Sequence, residues 1–352
     1  MSKKLFSLLL CITLVASLLV GCGSKKQENK VGVAMPTKDL QRWNQDGDNM
    51  KKALEEAGFE VDLQYASNDV ATQVSQIENM INSGCSVLVI ASIDGGSLGD
   101  VMAKAKEAEI PVIAYDRLIM NSDAVSYYAT FDNYMVGQIQ GQYIIDTLDL
   151  ENQAGPFTLE CTTGDPGDNN ANFFYGGAMD LLQPYIDEGK LVVTSGQTDF
   201  ATVATANWAT DAAQARMENI LSSYYADGTN LDACLCSNDS TALGVANALA
   251  ANYTGTYPII TGQDCDIASV KNILDGKQSM SIFKDTRTLA NQVVKMVGQI
   301  LKGETVDVND TETYDNGAYV VPSFLCEPVY ADINNYKELL IDSGYYTEDQ
   351  LK

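Results

Sequence analysis

Val70-Ala71-Thr72-Gln73-Val74-Ser75-Gln76-Ile77-Glu78-Asn79-Met80-Ile81 is followed, after a short polar break, by Val87-Leu88-Val89-Ile90, and the contrast between these two runs decides the fold. In the first, Val70, Val74, Ile77 and Ile81 recur at alternating spacings of four and three, so they share one stripe of an amphipathic helix. The second run has no alternation; four consecutive aliphatic residues suit a short strand buried on both faces, as in a parallel sheet covered by helices. Outward from this pair, Val31 to Met35 and Val61 to Ala66 read as strands separated by a helix that ends at Ala57. Leu98 to Ala108 reads as the next helix and Val112 to Tyr115 as the next strand. This βαβα order predicts an α/β domain with helices on both sides of a parallel sheet.

The rhythm restarts after Gly155. Strands are expected at Phe157 to Cys161, Leu191 to Thr194, Leu231 to Cys236 and Pro258 to Thr261, with helices near Asn169 to Tyr185, Trp208 to Tyr225 and Asp239 to Ala251. Two Rossmann-like halves result. Each half opens with a strand, a polar loop and a helix carrying a Gly and a Met in its first turns (Gly47 and Met50; Gly177 and Met179), a hint of duplication. No short repeat and no low-complexity tract accompanies it. The loop Met35-Pro36-Thr37-Lys38-Asp39 after the first strand carries neither G-x-G-x-x-G nor a Walker lysine, which argues against nucleotide binding.

The N-terminus carries a different signal. Lys3 and Lys4 precede a mostly apolar run from Leu5 to Val20, which suits an export signal and falls short of a comfortable membrane span. The run ends in Leu19-Val20-Gly21-Cys22, which looks like a bacterial lipobox. Residues 1–21 are therefore expected to be removed as a lipoprotein signal peptide. Cys22 would be acylated as the new N-terminus and 22–29 would serve as a flexible tether. About 330 residues then remain, more than one core usually organises, so two domains are expected.

The formal charge is −25, and loss of Lys3 and Lys4 makes it more negative still. Such a surface repels phosphate backbones and anionic headgroups, which argues against nucleic-acid binding or broad membrane contact. There is no histidine, which removes Ser-His and Cys-His catalysis and His-ligated metals. Cys85, Cys161, Cys234, Cys236, Cys265 and Cys326 lie in or beside apolar runs and read mainly as small buried hydrophobes, with a bridge left open in an exported chain. No cofactor and no metal is expected.

In open α/β sheets ligands bind outside the carboxyl ends of the strands, and those loops are rich in polar groups. They carry Arg42 and Trp43, Asp116 and Arg117, and Asp132 and Asn133 in the first half. The second half brings Asp168, Asn169 and Asn170 with Phe173 and Phe174, then Asn238 and Asp239, Gln263 and Asp264, and Lys284 and Asp285. A neutral polyol would demand this mixture, because each hydroxyl both donates and accepts and an aromatic plate suits an apolar ring face. Hydrogen bonds between charged and neutral groups contribute about 1.5–3 kcal/mol each. Competing readings stand beside this one: Asp239 and Asp266 also suit helix N-caps, Trp43 and Trp208 also suit a core, and Asp116 with Arg117 also suits a surface pair.

At these residues the chain resembles the exported sugar-binding proteins of ABC importers, in the xylose-binding and broad-range aldose-binding branch of the ribose-type family. Matching stretches include Arg42-Trp43, Ser75 to Met80, Ala114-Tyr115-Asp116-Arg117, Phe131-Asp132-Asn133, Asp168-Asn169-Asn170-Ala171, Ser237-Asn238-Asp239, Gly262-Gln263-Asp264 and Val321-Pro322-Ser323. The resemblance implies a type I periplasmic-binding-protein fold, two Rossmann-like lobes joined by three hinge crossings with a monosaccharide in the cleft. The crossings should fall near Phe131, near Phe283 and within Asp310 to Pro322. The N-terminal lobe would then be 30–131 plus 285–310, and the C-terminal lobe 132–284 plus 311–352. Carried over, Arg42, Asp116 and Arg117 should bind sugar hydroxyls from the first lobe, Asn170, Asn238, Asp264 and Lys284 from the second, and Trp43 should stack on the ring. Asn169, Asp239, Phe174 and Trp208 are further candidates. Relatives of the xylose branch place a tryptophan after the strand at Leu191 to Thr194, where this chain reads Gly196-Gln197-Thr198-Asp199-Phe200; Phe200 or Trp208 would replace it.

The leading expectation is a membrane-tethered, monomeric receptor that closes on an aldose such as xylose, glucose or galactose and delivers it to an ABC permease. A sensory receptor presenting bound sugar to a membrane signalling partner shares the same pocket. An enzyme is the competing class, for example a glycosidase using Asp116 and Asp264 as its carboxylate pair.

Overall fold

A computed structural model describes residues 29–352; the expected signal peptide and lipobox, with Cys22, lie outside the described residues. The first half builds β1 (Lys30–Met35), α1 (Gln41–Glu56), β2 (Glu60–Tyr65), α2 (Val70–Asn82), β3 (Val87–Ile90), α3 (Gly99–Glu107), β4 (Val112–Tyr115) and β5 (Val125–Phe131). The second builds α4 (Asn133–Leu148), β6 (Phe157–Thr162), α5 (Asn169–Asp187), β7 (Leu191–Val193), the single turn α6 (Phe200–Val203), α7 (Thr210–Tyr224), β8 (Ala233–Cys236), α8 (Asp239–Asn252), β9 (Ile259–Ile260), α9 (Ile267–Leu274) and β10 (Met280–Phe283). Then come α10 (Thr286–Lys302), β11 (Ser323–Cys326) and β12 (Val329–Asp332).

The strands form one sheet in the order β11-β5-β4-β3-β1-β2 and another in the order β7-β6-β8-β9. Every pairing within both is parallel. β10 and β12 pair antiparallel, and a bridge from Ile282 to Gln263 ties them to the second sheet. Both central strands of the first sheet are buried along their whole length, β3 at Val87 to Ile90 and β4 at Val112 to Tyr115. That full burial is why their sequences lack alternation. On one face of this sheet Met50 and Leu54 of α1 meet Leu289, Val293 and Met296 of α10; on the other, Ile77 and Met80 of α2 meet Val101 and Met102 of α3. The second sheet is covered likewise by α4 with α5 and by α7 with α8.

The chain passes from the first half to the second at Asp132, returns at Lys284 and Asp285, and crosses again at Glu327 and Pro328. The third passage differs from the expected Asp310 to Pro322, and 311–326 does not belong with the second lobe. Ser323 to Cys326 runs parallel to Tyr128 to Phe131 in the first sheet. Ahead of it, Tyr314 and Val321 are buried in the core between that sheet and α2–α3. Asn316 Nδ2 donates to the carbonyls of Ile119 and Ser122. A four-residue edge strand has too little sequence to declare which sheet it joins.

A candidate ligand site between the two halves

In each sheet the strand order reverses once, between β1 and β3 in the first and between β6 and β8 in the second. At such a point adjacent loops diverge and leave a crevice at the carboxyl ends of the strands. The two crevices face each other and enclose a small cavity lined by residues of both halves.

Arg42, on the first turn of α1, is the centre of the cavity. Its Nε donates to Asp46 Oδ2 at 2.6 Å, its Nη2 to Asp116 Oδ1 at 2.6 Å and its Nη1 to Asp264 Oδ1 at 2.8 Å. Lys284 Nζ lies 3.1 Å from Asp264 Oδ1 and 3.8 Å from Asp116 Oδ1. Two carboxylates from opposite halves thus share two cations. Burial pushes the Asp116 carboxyl up, but Arg42, Lys284 and Arg117 outweigh it and hold the group at about 2. Asp46, with no opening to solvent, is pushed up to about 6 by burial against the pull of Arg42, and the Tyr115 hydroxyl donates to it.

Asp116 reaches this position through its backbone. It follows β4 with φ +58°, and the Arg117 N–H donates back to the Tyr115 carbonyl at 2.6 Å, closing a three-residue γ-turn. A positive φ at a non-glycine residue is costly and persists where surrounding contacts over-determine it. Here the Asp116 carbonyl accepts from Thr130 Oγ1 at 3.1 Å and from Asn170 Nδ2 at 2.6 Å, and Tyr128 Oη lies 2.6 Å away. Asn170 opens α5 in the second half, so this bond spans the crevice. Asp264, after β9, likewise has a positive φ, +100°, followed by +52° at Cys265.

Aromatic groups line the walls. Arg117 sits over the Trp43 ring at 5.0 Å and Arg42 at 5.7 Å; Trp43 lines the cavity and is also part of the core beneath it. Trp208 lines the opposite side beside Phe174, the rings 6.3 Å apart edge to face. Its ring lies against Gly164, where a Cβ would come within 1.9 Å of it, and its Nε1 is buried without a partner. Of the two aromatics proposed after β7, Trp208 reaches the cavity; Phe200 packs at a tilt against Tyr175 instead.

The structure gathers Arg42, Trp43, Asp116, Arg117, Asn170, Asn238, Asp264 and Lys284 around one space, with Phe174 and Trp208. It does not bring Asn169 or Asp239 there. Asn169 sits one position earlier on α5 than Asn170, about 100° round the helix, and only its carbonyl has a partner, the Asn172 amide at 3.5 Å. Asp239 is buried behind the wall and accepts from the Asp266 N–H at 2.8 Å, Gln278 Nε2 at 2.9 Å and Ser281 Oγ at 2.8 Å. The cap of α8 is Asn238, whose Oδ1 accepts from the Thr241 N–H at 3.0 Å in a capping box; Asp239 follows it as the first helical residue. Sequence reasoning missed Asp46, although the Arg-Asp spacing of four on a helix is itself a signal; it read Asp266 only as a helix cap and Gln263 only as part of a polar loop, and both line the cavity. Asp168, read in its loop but given no role, lies 3.0 Å from Arg117 Nε across the crevice.

Two α/β halves that close opposed sheet edges around a small polar cavity define a hinged binding protein. Residues 31–305 match the periplasmic binding protein domain family, and the chain belongs to that family. It is 49% identical over 354 residues to the multiple sugar-binding periplasmic receptor ChvE of Rhizobium radiobacter, covering 99% of this chain and 100% of that protein. It is 36% identical to the D-xylose-binding periplasmic protein of Escherichia coli K12, covering all of both. Among solved structures, an ABC transporter solute binding protein from Clostridium phytofermentans with bound β-D-glucose is 74% identical and superposes with a TM-score of 0.91 over 92% of this chain and 100% of that one. A carbohydrate transporter solute binding protein from Chloroflexus aurantiacus in complex with D-glucose is 35% identical, with a TM-score of 0.83 over 91% and 97%. These relatives are binding proteins of sugar transport, and the chain is a binding protein rather than an enzyme.

Proposed function

We propose that this protein captures a monosaccharide in the cavity between its halves, outside the cytoplasm, and hands it to an ABC permease while Cys22 holds it on the membrane by a lipid anchor. The observation that carries the reading is a polar cavity between the two halves of a chain closely similar to a glucose-bound protein. The polar lining comes from both halves in a chain 74% identical to a protein with bound β-D-glucose. Arg42, Asp116, Arg117 and Lys284, together with Asn170, Asn238 and Asp264, supply donors and acceptors for ring hydroxyls, and Trp43 and Trp208 supply apolar plates. The hydroxyls of an aldose satisfy such groups in pairs, whereas an analogue lacking one leaves a buried charge unpaired. D-glucose is the first ligand to try, with D-xylose and D-galactose beside it, because the relatives include xylose-binding and multiple sugar-binding proteins. The 49%-identical relative is a receptor by name, which favours sensing as a second reading with the same ligand.

The test is binding of radiolabelled D-glucose by fractions of expressing cells. Binding is expected in the membrane fraction for the wild-type chain and in the soluble fraction for Cys22→Ser. Absence of binding from every fraction, for each of the three sugars, would refute sugar capture; a wild-type protein that is already soluble would refute the anchor.

A further inference from the structure

Asp266 occupies the N-cap position of α9, yet its side chain makes no cap bond. It lines the ligand cavity instead, with Oδ1 shielded from solvent and lacking any hydrogen-bond partner. The cations of the cavity are all engaged by other acceptors. Arg42 serves Asp46, Asp116 and Asp264; Lys284 serves Asp264 and Asp116; Arg117 serves Asp168 and the carbonyls of Ser92 and Ile93. Asp266 is therefore the one acid lining the cavity, among the described residues, with no ion pair of its own. Asp266 is half-buried as a residue, and an unpaired carboxylate with one oxygen shut away from water beside Asp264 is more costly than the neutral acid.

The groups facing it come from four directions. Asp264 stands two residues before it, and Asp239 of α8 takes its backbone N–H. Arg42 of α1 and Lys284 after β10 act from across the cavity. Tyr346 of the C-terminal segment donates to the neighbouring Cys265 carbonyl at 2.9 Å. Burial, reinforced by the Asp264 carboxylate, pushes the Asp266 carboxyl up to about 7 against the pull of Arg42 and Lys284.

We propose that Asp266 is a further sugar-contacting residue and that it works as the neutral acid, donating its proton in a hydrogen bond to a ligand oxygen while Asp116 and Asp264 accept. The inference rests on the sugar-binding reading. A donor of this kind fits a hydroxyl or ring oxygen and gives the site one more donor without adding a charge. It also links capture to proton uptake: the complex holds the proton more firmly than the free protein does. Affinity is therefore fullest at low pH, where Asp266 is already protonated, and falls as pH rises and free Asp266 ionises, by at most about tenfold per pH unit for one linked proton.

The experiment is isothermal titration of the purified protein with D-glucose from pH 6 to pH 9, each point in two buffers of different ionisation enthalpy so that proton uptake is counted directly. Wild type is expected to take up a fraction of a proton near pH 7.5 and to lose affinity as pH rises. Asp266→Asn, whose amide still donates, is expected to bind with a flat pH profile and no proton uptake, and more tightly than Asp266→Ala at every pH. Asp266→Ala is expected to bind more weakly throughout. Wild-type binding without proton uptake, or uptake that survives in Asp266→Asn and so belongs to Asp239 or Asp46, overturns the role of Asp266 and leaves sugar binding standing. No glucose heat at any pH sinks the underlying reading instead.

Discussion

At the residue scale, the legible part of the site was the part dictated by strand ends. Asp116, Asn238, Asp264 and Lys284 closely follow a strand and Arg42 opens the helix after β1, so recognising parallel sheets already collected them at the carboxyl edges. Residues whose role depends on a partner's exact direction were not legible. Asn169 and Asn170 are chemically identical neighbours, and only helix phase sends one to the Asp116 carbonyl at 2.6 Å. Asp239 and Asp266 are both acids beside a helix start, and only the course of the loop turns one into the wall and the other into the cavity. The competing readings of Trp43 proved not to be alternatives, since it lines the cavity and packs in the core at once. Trp208 allows a cleaner measurement. Its Nε1 is buried with no partner, so the free protein carries an unmatched donor that a ligand oxygen would satisfy. Trp208→Phe removes that donor and keeps an aromatic face. It is expected to weaken D-glucose binding by about 1 kcal/mol, roughly fivefold, while leaving the melting temperature unchanged or slightly raised. An unchanged dissociation constant would show that the indole N–H does not meet the ligand.

At the element scale, periodicity found strands and helices up to Thr261 whose burial is one-sided or complete and missed β5 and α4, where neither holds; β10, buried throughout, and α10, buried on one face, went unread although their pattern is plain. The strand β5, Val-Ser-Tyr-Tyr-Ala-Thr-Phe, is buried at one end and only half-buried at two of its first three residues. Helix α4 presents glycines and glutamines where a stripe would show aliphatic residues. Its glycines have a packing reason. A Cβ at Gly137 would come within 2.0 Å of the Phe174 carbonyl oxygen, and one at Gly177 of α5 within 2.2 Å of the Tyr134 carbonyl oxygen. The two helices therefore cross backbone to backbone, and the pairing of Gly177 with Gly47 as a trace of duplication gives way to two local causes, since Gly47 is instead pressed by the Tyr65 hydroxyl. Adjacent glycines on α5 make the point testable. Gly176 has nothing within 4 Å of its would-be Cβ. Gly176→Ala is thus expected to stabilise by up to about 1 kcal/mol through helix propensity, and Gly177→Ala to destabilise by about 1–3 kcal/mol or more by forcing the crossing apart. Urea unfolding of both variants decides it: equal effects would mean that the crossing yields freely and that close approach is not what these glycines serve.

At the scale of the whole molecule, two halves and a cleft were readable from the restart of the βα rhythm, but the third crossing was not, because β11 and β12 are four-residue strands in different sheets separated by two residues. Closure of those halves is a population, and its balance includes contacts the ligand never touches. Gln41, at the start of α1, donates from Nε2 to Tyr346 Oη at 2.7 Å and accepts at Oε1 from the Ile267 N–H at 3.1 Å. Gln45 donates to the same tyrosine hydroxyl at 2.8 Å. Ile267 and Tyr346 pack with Cys265 and Phe283 in the second half, so these bonds exist only while the halves are together, and none of the three side chains lines the cavity. A ligand that binds only the closed form has its apparent affinity reduced by the fraction of protein that is closed. Removing Gln41 lowers that fraction without altering a single sugar contact. Gln41→Ala is therefore expected to raise the dissociation constants for D-glucose and D-xylose by the same factor, roughly fivefold for about 1 kcal/mol of lost hydrogen bonding, and to enlarge the ligand-free radius of gyration in small-angle scattering. A variant that changed the ratio between the two sugars would place Gln41 in the site's chemistry, and one that changed neither constant would show that the halves are held by the ligand cavity alone.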